Sequence, residues 1–224
     1  MEKVDINFII TCYNRENYWP YMKKILESYE KIKSHIVYCY SGVDDNEVCD
    51  VRCNNRGHIE GDTDLMIAGY NYLKDNGVKK WIKLSVDSWL MDGDKILEIF
   101  KTMENGDMVY GGNYWTGQRW WSTDIFFAIE NDYGFMRRFT EGAINYIEKV
   151  DYSIEGWIRV VSEGYGKYYI IPEREPISGN FGNRFYVDSL SWTMEHDLNE
   201  NIKRANEYLR KLSEKNPNLE LKEL

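Results

Sequence analysis

The chain has 224 residues, with 28 Lys and Arg against 37 Asp and Glu, and 43% of it is hydrophobic. That length and apolar content suit one domain of ordinary size with a full core, and they exclude a disordered chain. A net charge of −9 without a Lys/Arg-dense run lacks the counterion release behind most nucleic-acid binding, so no grip on DNA or RNA is expected.

The N-terminal apolar run Phe8-Ile9-Ile10 is far shorter than the ~20 residues a membrane span needs. No small-residue cleavage site follows it, and the sequence reads as cytoplasmic. Ile6-Asn7-Phe8-Ile9-Ile10-Thr11-Cys12 is β-branched or apolar at nearly every position, as a strand buried on both faces of a parallel sheet should be. After the loop Tyr13-Asn14-Arg15-Glu16-Asn17, Pro20 suits a first helical turn, and Tyr18, Met22, Ile25, Leu26, Tyr29 and Ile32 recur at helical spacing. A second strand is expected over His35 to Tyr40, ending in the turn-rich Ser41-Gly42-Val43-Asp44-Asp45-Asn46, and a short third one over Cys49 to Cys53. A helix from about Asp62 to Lys74 then closes on Gly77, a suitable C′ glycine.

Trp81 to Val86 is the next strand, followed by Asp87-Ser88-Trp89-Leu90 and a helix through Ile96, Leu97, Phe100 and Met103. Short strands at Met108 to Tyr110 and Ile125 to Ile129 flank what reads as a glycine-hinged loop carrying Tyr114, Trp115, Trp120 and Trp121. Helical patterns follow at about 135–148 and 155–162, then a strand Tyr168 to Ile171 stopped by Pro172. In the tail, Leu198, Ile202, Ala205, Leu209 and Leu212 alternate steps of four and three, an amphipathic helix expected to pack on its own domain. The alternation of strands and helices predicts an α/β fold with a mostly parallel mixed sheet, residues 1–190 forming the main domain and 191–224 a helical appendage. Cys12, Cys39, Cys49 and Cys53 read as reduced thiols. A zinc site on Cys49, Cys53 and His58 would need a second Cys/His pair at finger spacing, which does not follow.

Ligands of open parallel sheets sit beyond the C-terminal strand ends. The loops there are polar and acidic: Asn14-Arg15-Glu16, Asp44-Asp45, and Asp87-Ser88 with Asp92 and Asp94. Neither Gly-x-Gly-x-x-Gly nor Gly-x-x-x-x-Gly-Lys occurs, so the usual phosphate-cradling loops are missing. Carboxylates do not bind phosphate directly, but they can hold Mg²⁺ or Mn²⁺, which bridges to a diphosphate.

The order Phe8-Ile9-Ile10-Thr11-Cys12-Tyr13-Asn14-Arg15, then Asn54-Asn55-Arg56-Gly57, then Trp81 through Leu90, resembles the N-terminal half of family 2-like glycosyltransferases of the GT-A fold. Ile154-Glu155-Gly156-Trp157-Ile158 resembles that family's "E-D-W" segment more weakly. The likeness covers about residues 6 to 175 in order. It implies a GT-A-like α/β sheet and transfer of a sugar from a nucleotide-sugar donor to a glycan or other hydroxyl acceptor, assisted by Mn²⁺ or Mg²⁺. It implies further that Thr11, Tyr13, Asn14, Arg15, Asp44, Asp45, Ser85, Val86 and Asp87 meet the nucleotide sugar. Asp87 and His196 would hold the metal, and Trp115, Trp120 and Trp121 would face the acceptor. In two places the chain departs from the pattern. Asp-x-Asp becomes Ser85-Val86-Asp87, and the usual base position is Gly156, which leaves Glu155 as the candidate general base of an inverting reaction.

Each residue also has a plainer use: Asp87 as a helix cap, Asp44 and Asp45 as turn residues, Arg15 as a solvated cation, Glu155 at a helix start, His196 as a structural residue. A catalytically silent sugar- or nucleotide-binding module would keep the same fold, and Ser85 and Gly156 favour it. A nucleotidyltransferase should show a Gly-rich phosphate loop near the N-terminus, and none is visible.

Overall fold

The structure is a computed structural model that describes residues 2–42, 48–104, 108–115, 118–129, 133–135, 137–142, 161, 168–172, 192–194, 197–215 and 224. In chain order the elements are β1 (Val4–Cys12), α1 (Trp19–Ser28), β2 (Ile32–Tyr40), β3 (Val51–Arg52), α2 (His58–Asp75), β4 (Lys80–Ser85), β5 (Ser88–Leu90), α3 (Gly93–Thr102), β6 (Met108–Trp115), β7 (Gln118–Ile129), β8 (Tyr168–Pro172), β9 (Trp192–Met194) and α4 (Leu198–Lys215). Seven strands form one sheet in the order β3-β2-β1-β4-β7-β6-β8, while β5 and β9 pair separately. Pairing is parallel from β3 through β4 and between β6 and β8, and β7 runs antiparallel to both of its neighbours. The sheet is mixed and mostly parallel, as the alternation of elements predicts.

Residue alternation along the central strands explains why the sheet is covered on both faces. Phe8 and Ile10 of β1 and Ile82 and Leu84 of β4 share a core with Met22 and Ile25 of α1, Ile96 and Phe100 of α3, and Ala205 of α4. Their neighbours Ile9 and Trp81 point the other way, into a second core with Leu65, Met66, Tyr70 and Leu73 of α2 and with Phe135 and Phe139. Strands whose successive side chains are buried on opposite faces require the near-continuous apolar runs that the sequence carries. The tail helix α4 belongs to the first of these cores: Ala205 is fully buried there, and Leu198 and Ile202 pack against it.

Several boundaries differ from the sequence expectation. Ile32 belongs to β2 rather than to the end of α1, because Tyr29 already has extended backbone. The hydroxyls of Ser28 and Ser34 donate to the carbonyls of Ile25 (2.7 Å) and Leu26 (2.5 Å), taking up acceptors that the shortened helix leaves over. The end of α2 is a Schellman motif: Val78 N–H bonds the Leu73 carbonyl at 2.9 Å, Gly77 N–H bonds Lys74 at 2.9 Å, and Gly77 has φ +68°. The N-cap of α3 is Asp92, whose carboxylate accepts from the backbone of Asp94 and Lys95 at 2.9 and 3.1 Å. Asp87 is therefore not the cap of that helix.

The segment read as a glycine-hinged loop is a β-hairpin. Gly112 pairs with Trp121, Asn113 with Trp120 and Trp115 with Gln118, so Trp115, Trp120 and Trp121 lie on strands β6 and β7. Gly111 marks a register shift in the ladder rather than a hinge, a frequent use of glycine within strands. The expected helix at 155–162 lies almost entirely outside the described residues.

A close approach fixes the distance of α2 from the sheet. A Cβ at Gly69 would lie 2.6 Å from Ile9 Cγ2 and 2.9 Å from Cys39 Sγ, both in the core. Gly69→Ala should therefore lower stability by about 1–2 kcal/mol, overpacking outweighing the gain in helix propensity. Urea unfolding checks this as a lower midpoint at unchanged slope, and an unchanged or higher midpoint would show that α2 can shift outward without loss.

Candidate functional site

The chain runs from β1 outward to β2 and β3, then crosses back to place β4 on the other side of β1. The connections leaving β1 and β4 thus diverge, which opens a crevice at their C-terminal ends where open α/β sheets take ligands. Both strand ends are tied together there: Thr11 pairs with Ser85, and Val86 N–H donates to the Thr11 carbonyl at 2.9 Å. On the other side, Ser41 N–H donates to the Cys12 carbonyl at 3.1 Å.

Arg15 and Asp87, the residues that follow these two strands, form an ion pair in which Arg15 Nη1 donates to Asp87 Oδ2. Asn14 precedes them at φ +50°, a left-handed turn that asparagine tolerates better than most residues. Tyr18 N–H bonds the Arg15 carbonyl at 3.1 Å and fixes the loop to the following helical turn. The exposure of the two side chains is unequal, 34% for Arg15 and 3% for Asp87. The carboxylate is thus the buried anchor, and the guanidinium is the group that reaches toward solvent. Glu16 ties the same loop to β2 by accepting from the Tyr40 hydroxyl.

A second charged group lies near the end of β4. Lys83 is fully buried on β4, with its ammonium 3.0 Å from Ser85 Oγ and 3.6 Å from Asp62 Oδ1 of α2. An ammonium can only donate, so Ser85 Oγ accepts from it. Ser41 Oγ is also buried at this end of the sheet, with no hydrogen-bond partner among the described residues. From the opposite face Asn201 of α4 donates to the backbone carbonyl of Asp87 at 2.8 Å, and both residues are buried. The indole of Trp89 donates to the Val86 carbonyl at 2.9 Å. Asp87 is thus held through its side chain by Arg15, through its own carbonyl by Asn201, and through its neighbours by a buried tryptophan.

Of the residues singled out in the sequence, Thr11, Arg15, Ser85, Val86 and Asp87 meet at these two strand ends, and Tyr13 and Asn14 lie in the loop that leaves β1. For Trp115, Trp120 and Trp121 only the strand positions are described, and Asp44, Asp45, Glu155 and His196 lie outside the described residues. Sequence reasoning did not single out Lys83, Asp62 and Asn201. The signal for Lys83 was a lone charge within the buried run Trp81 to Val86. For Asn201 it was an amide on the apolar face of the tail helix, between Leu198 and Ile202.

A divalent cation held by oxygen donors needs a local excess of negative charge. At this strand end the Asp87 carboxylate is matched by Arg15, the aspartate of the family pattern is replaced by Ser85, and Lys83 stands beside that serine with Asp62 as its counter-charge. Among the described residues each of these two carboxylates is matched by a cation and Glu16 is engaged by the Tyr40 hydroxyl, a donor set that does not fit Mn²⁺ or Mg²⁺; Asp44, Asp45 and His196 lie outside them.

No protein-family model and no curated protein matches the chain by sequence. Among solved structures, 4-diphosphocytidyl-2C-methyl-D-erythritol synthase superposes with a TM-score of 0.51 at 9% identity, over 91% of this chain and 99% of that one. The likeness is one of fold, a mixed and mostly parallel α/β sheet flanked by helices. Lower scores relate the chain to the glycosyltransferase GlyE of Streptococcus pneumoniae TIGR4 (TM-score 0.45, 11% identity, 76% of this chain) and to the galactosyltransferase LgtC (0.44, 13%, 75% of this chain and 73% of that one). The chain spans 45% of the length of GlyE. Among the described residues, no helix is long and apolar enough to cross a membrane.

Proposed function

We propose that the chain is a glycosyltransferase that moves a sugar from a nucleotide-sugar donor to a hydroxyl acceptor. The observation that supports this most directly is the Arg15–Asp87 pair, which sits where the connections of β1 and β4 diverge. Transfer separates a diphosphate from the anomeric carbon, so the site must stabilise charge on the phosphates and take a proton from the acceptor. Arg15 and the Ser85 hydroxyl, backed by Lys83, serve the first need. Glu155 is our candidate for the second, with an inverting outcome, and the Trp115, Trp120 and Trp121 hairpin is our candidate for the acceptor side.

Thermal-shift measurements against UDP-, GDP-, CMP- and dTDP-sugars test the donor half of this reading. A ligand at a hundred times its Kd stabilises by about 2.7 kcal/mol, which for a chain of this size is a rise of about 5–10 °C. No rise with any of the four would count against a nucleotide-sugar site. Glu155→Gln should then lower kcat about 100-fold or more with the donor that binds. A second reading, a silent module that binds the donor without transferring the sugar, is favoured by serine at position 85. It would give the thermal shift with no product.

A further inference from the structure

We propose that Asp87 is a positioning residue for the Arg15 guanidinium, and that this pair, rather than a divalent cation, meets the diphosphate of the ligand. The inference rests on the nucleotide-sugar reading above. It begins from the fit just described: the carboxylate in the place of a metal ligand already has a cation, and that cation is part of the chain.

Several observations point the same way. A guanidinium carries five N–H donors in a rigid fork, and the described contact engages only Nη1. A buried carboxylate that grips one edge of the fork turns the remaining donors outward, the planar geometry suited to phosphate oxygens. The grip is stiff. Asp87 has almost no exposed surface, and its carbonyl is anchored by Asn201, whereas about a third of Arg15 faces solvent. Lys83 adds positive charge 3.0 Å from Ser85 Oγ, at a position where a carboxylate in place of the serine would repel an anionic oxygen. A divalent cation at the Asp87 carboxylate would have to displace the guanidinium already paired with it.

The test is calorimetry on the full chain with UDP, GDP, CDP and dTDP, each in EDTA and in Mn²⁺, with the corresponding nucleosides as controls. We expect the affinity of the preferred diphosphate to agree within about twofold with and without Mn²⁺. Arg15→Lys keeps the charge and loses the fork, and should weaken the diphosphate about tenfold in both buffers, as loss of a charge-assisted hydrogen bond does. Asp87→Asn should weaken it by a similar factor in both buffers. Neither change should alter binding of the nucleoside alone, which lacks the phosphates; an equal loss for nucleoside and diphosphate would mean a merely structural role and would overturn the proposal. Should Asp87→Asn fail to fold, Arg15→Lys carries the test by itself, and wild-type affinity in that variant sinks the idea. A tenfold or greater gain with Mn²⁺ that Asp87→Asn abolishes would also sink it, while leaving the nucleotide reading intact. No binding of any diphosphate in either buffer overturns both.

Discussion

Trp89→Ala should lower the stability of the protein by about 3–5 kcal/mol, the range for truncating a fully buried aromatic side chain. The indole is completely buried, lies edge-on to Tyr18 at 6.2 Å and stacks near Tyr21 at 5.9 Å between centroids. Its N–H also satisfies the Val86 carbonyl at 2.9 Å, and alanine would leave that acceptor without its donor. Trp89→Phe separates the two contributions. It keeps most of the packing and loses only the hydrogen bond, so about 1–2 kcal/mol is expected. Chemical unfolding of both variants measures the difference. If phenylalanine costs as much as alanine, the hydrogen bond and not the packing fixes this turn. Since Val86 and Trp89 bracket Asp87, ligand affinity in the phenylalanine variant also reports how far the turn positions the carboxylate.

Lys83→Met is expected to cost about 2–4 kcal/mol, below the upper end for breaking a buried ion pair because Asp62 retains some contact with water. The side chain of Asp62 is 20% exposed and 3.6 Å from the ammonium, whereas Lys83 is fully buried. Methionine fills a similar volume, so the loss reports the charge and its hydrogen bond to Ser85 rather than a cavity. The decisive measurement is the cycle with Asp62→Asn. The double variant should be more stable than the sum of the two single changes by about 1 kcal/mol or more, since removing both partners strands neither. Additive effects would mean that Asp62 is not the counter-charge of Lys83.

The fold was legible in the sequence where a local pattern has one physical meaning. The apolar stretches Phe8 to Ile10 of β1 and Trp81 to Leu84 of β4, the latter broken only by Lys83, read as strands buried on both faces, and Gly77 after a periodic apolar segment reads as a helix stop. Legibility failed where one residue type has two uses. Gly111 and Gly112 punctuate a loop and a strand irregularity equally well, which masks the strand preference of the aromatic residues that follow them. The reach of β2 back to Ile32 was hidden because Lys33, Ser34 and His35 are polar, and an outer stretch of strand tolerates that. At the site, Arg15 and Asp87 were each visible beside a strand end, but their pairing was not, because a contact between residues 72 positions apart leaves no local trace. Lys83 and Asn201 broke apolar patterns, and a polar residue that breaks such a pattern without a turn signal has a buried partner somewhere else in the chain.

The amide of Asn201 reaches the carbonyl of Asp87 across 114 positions of sequence. During synthesis, the turn after β4 therefore leaves the ribosome well before the residue that completes its hydrogen bonding. Contacts of such long sequence separation carry the largest loop-closure cost and tend to form late. The turn after β4 should accordingly mature late, and a nascent chain that has assembled β1 through β4 still lacks the partner of the Asp87 carbonyl. Docking of α4 would then be the event that completes the hydrogen bonding of this strand end.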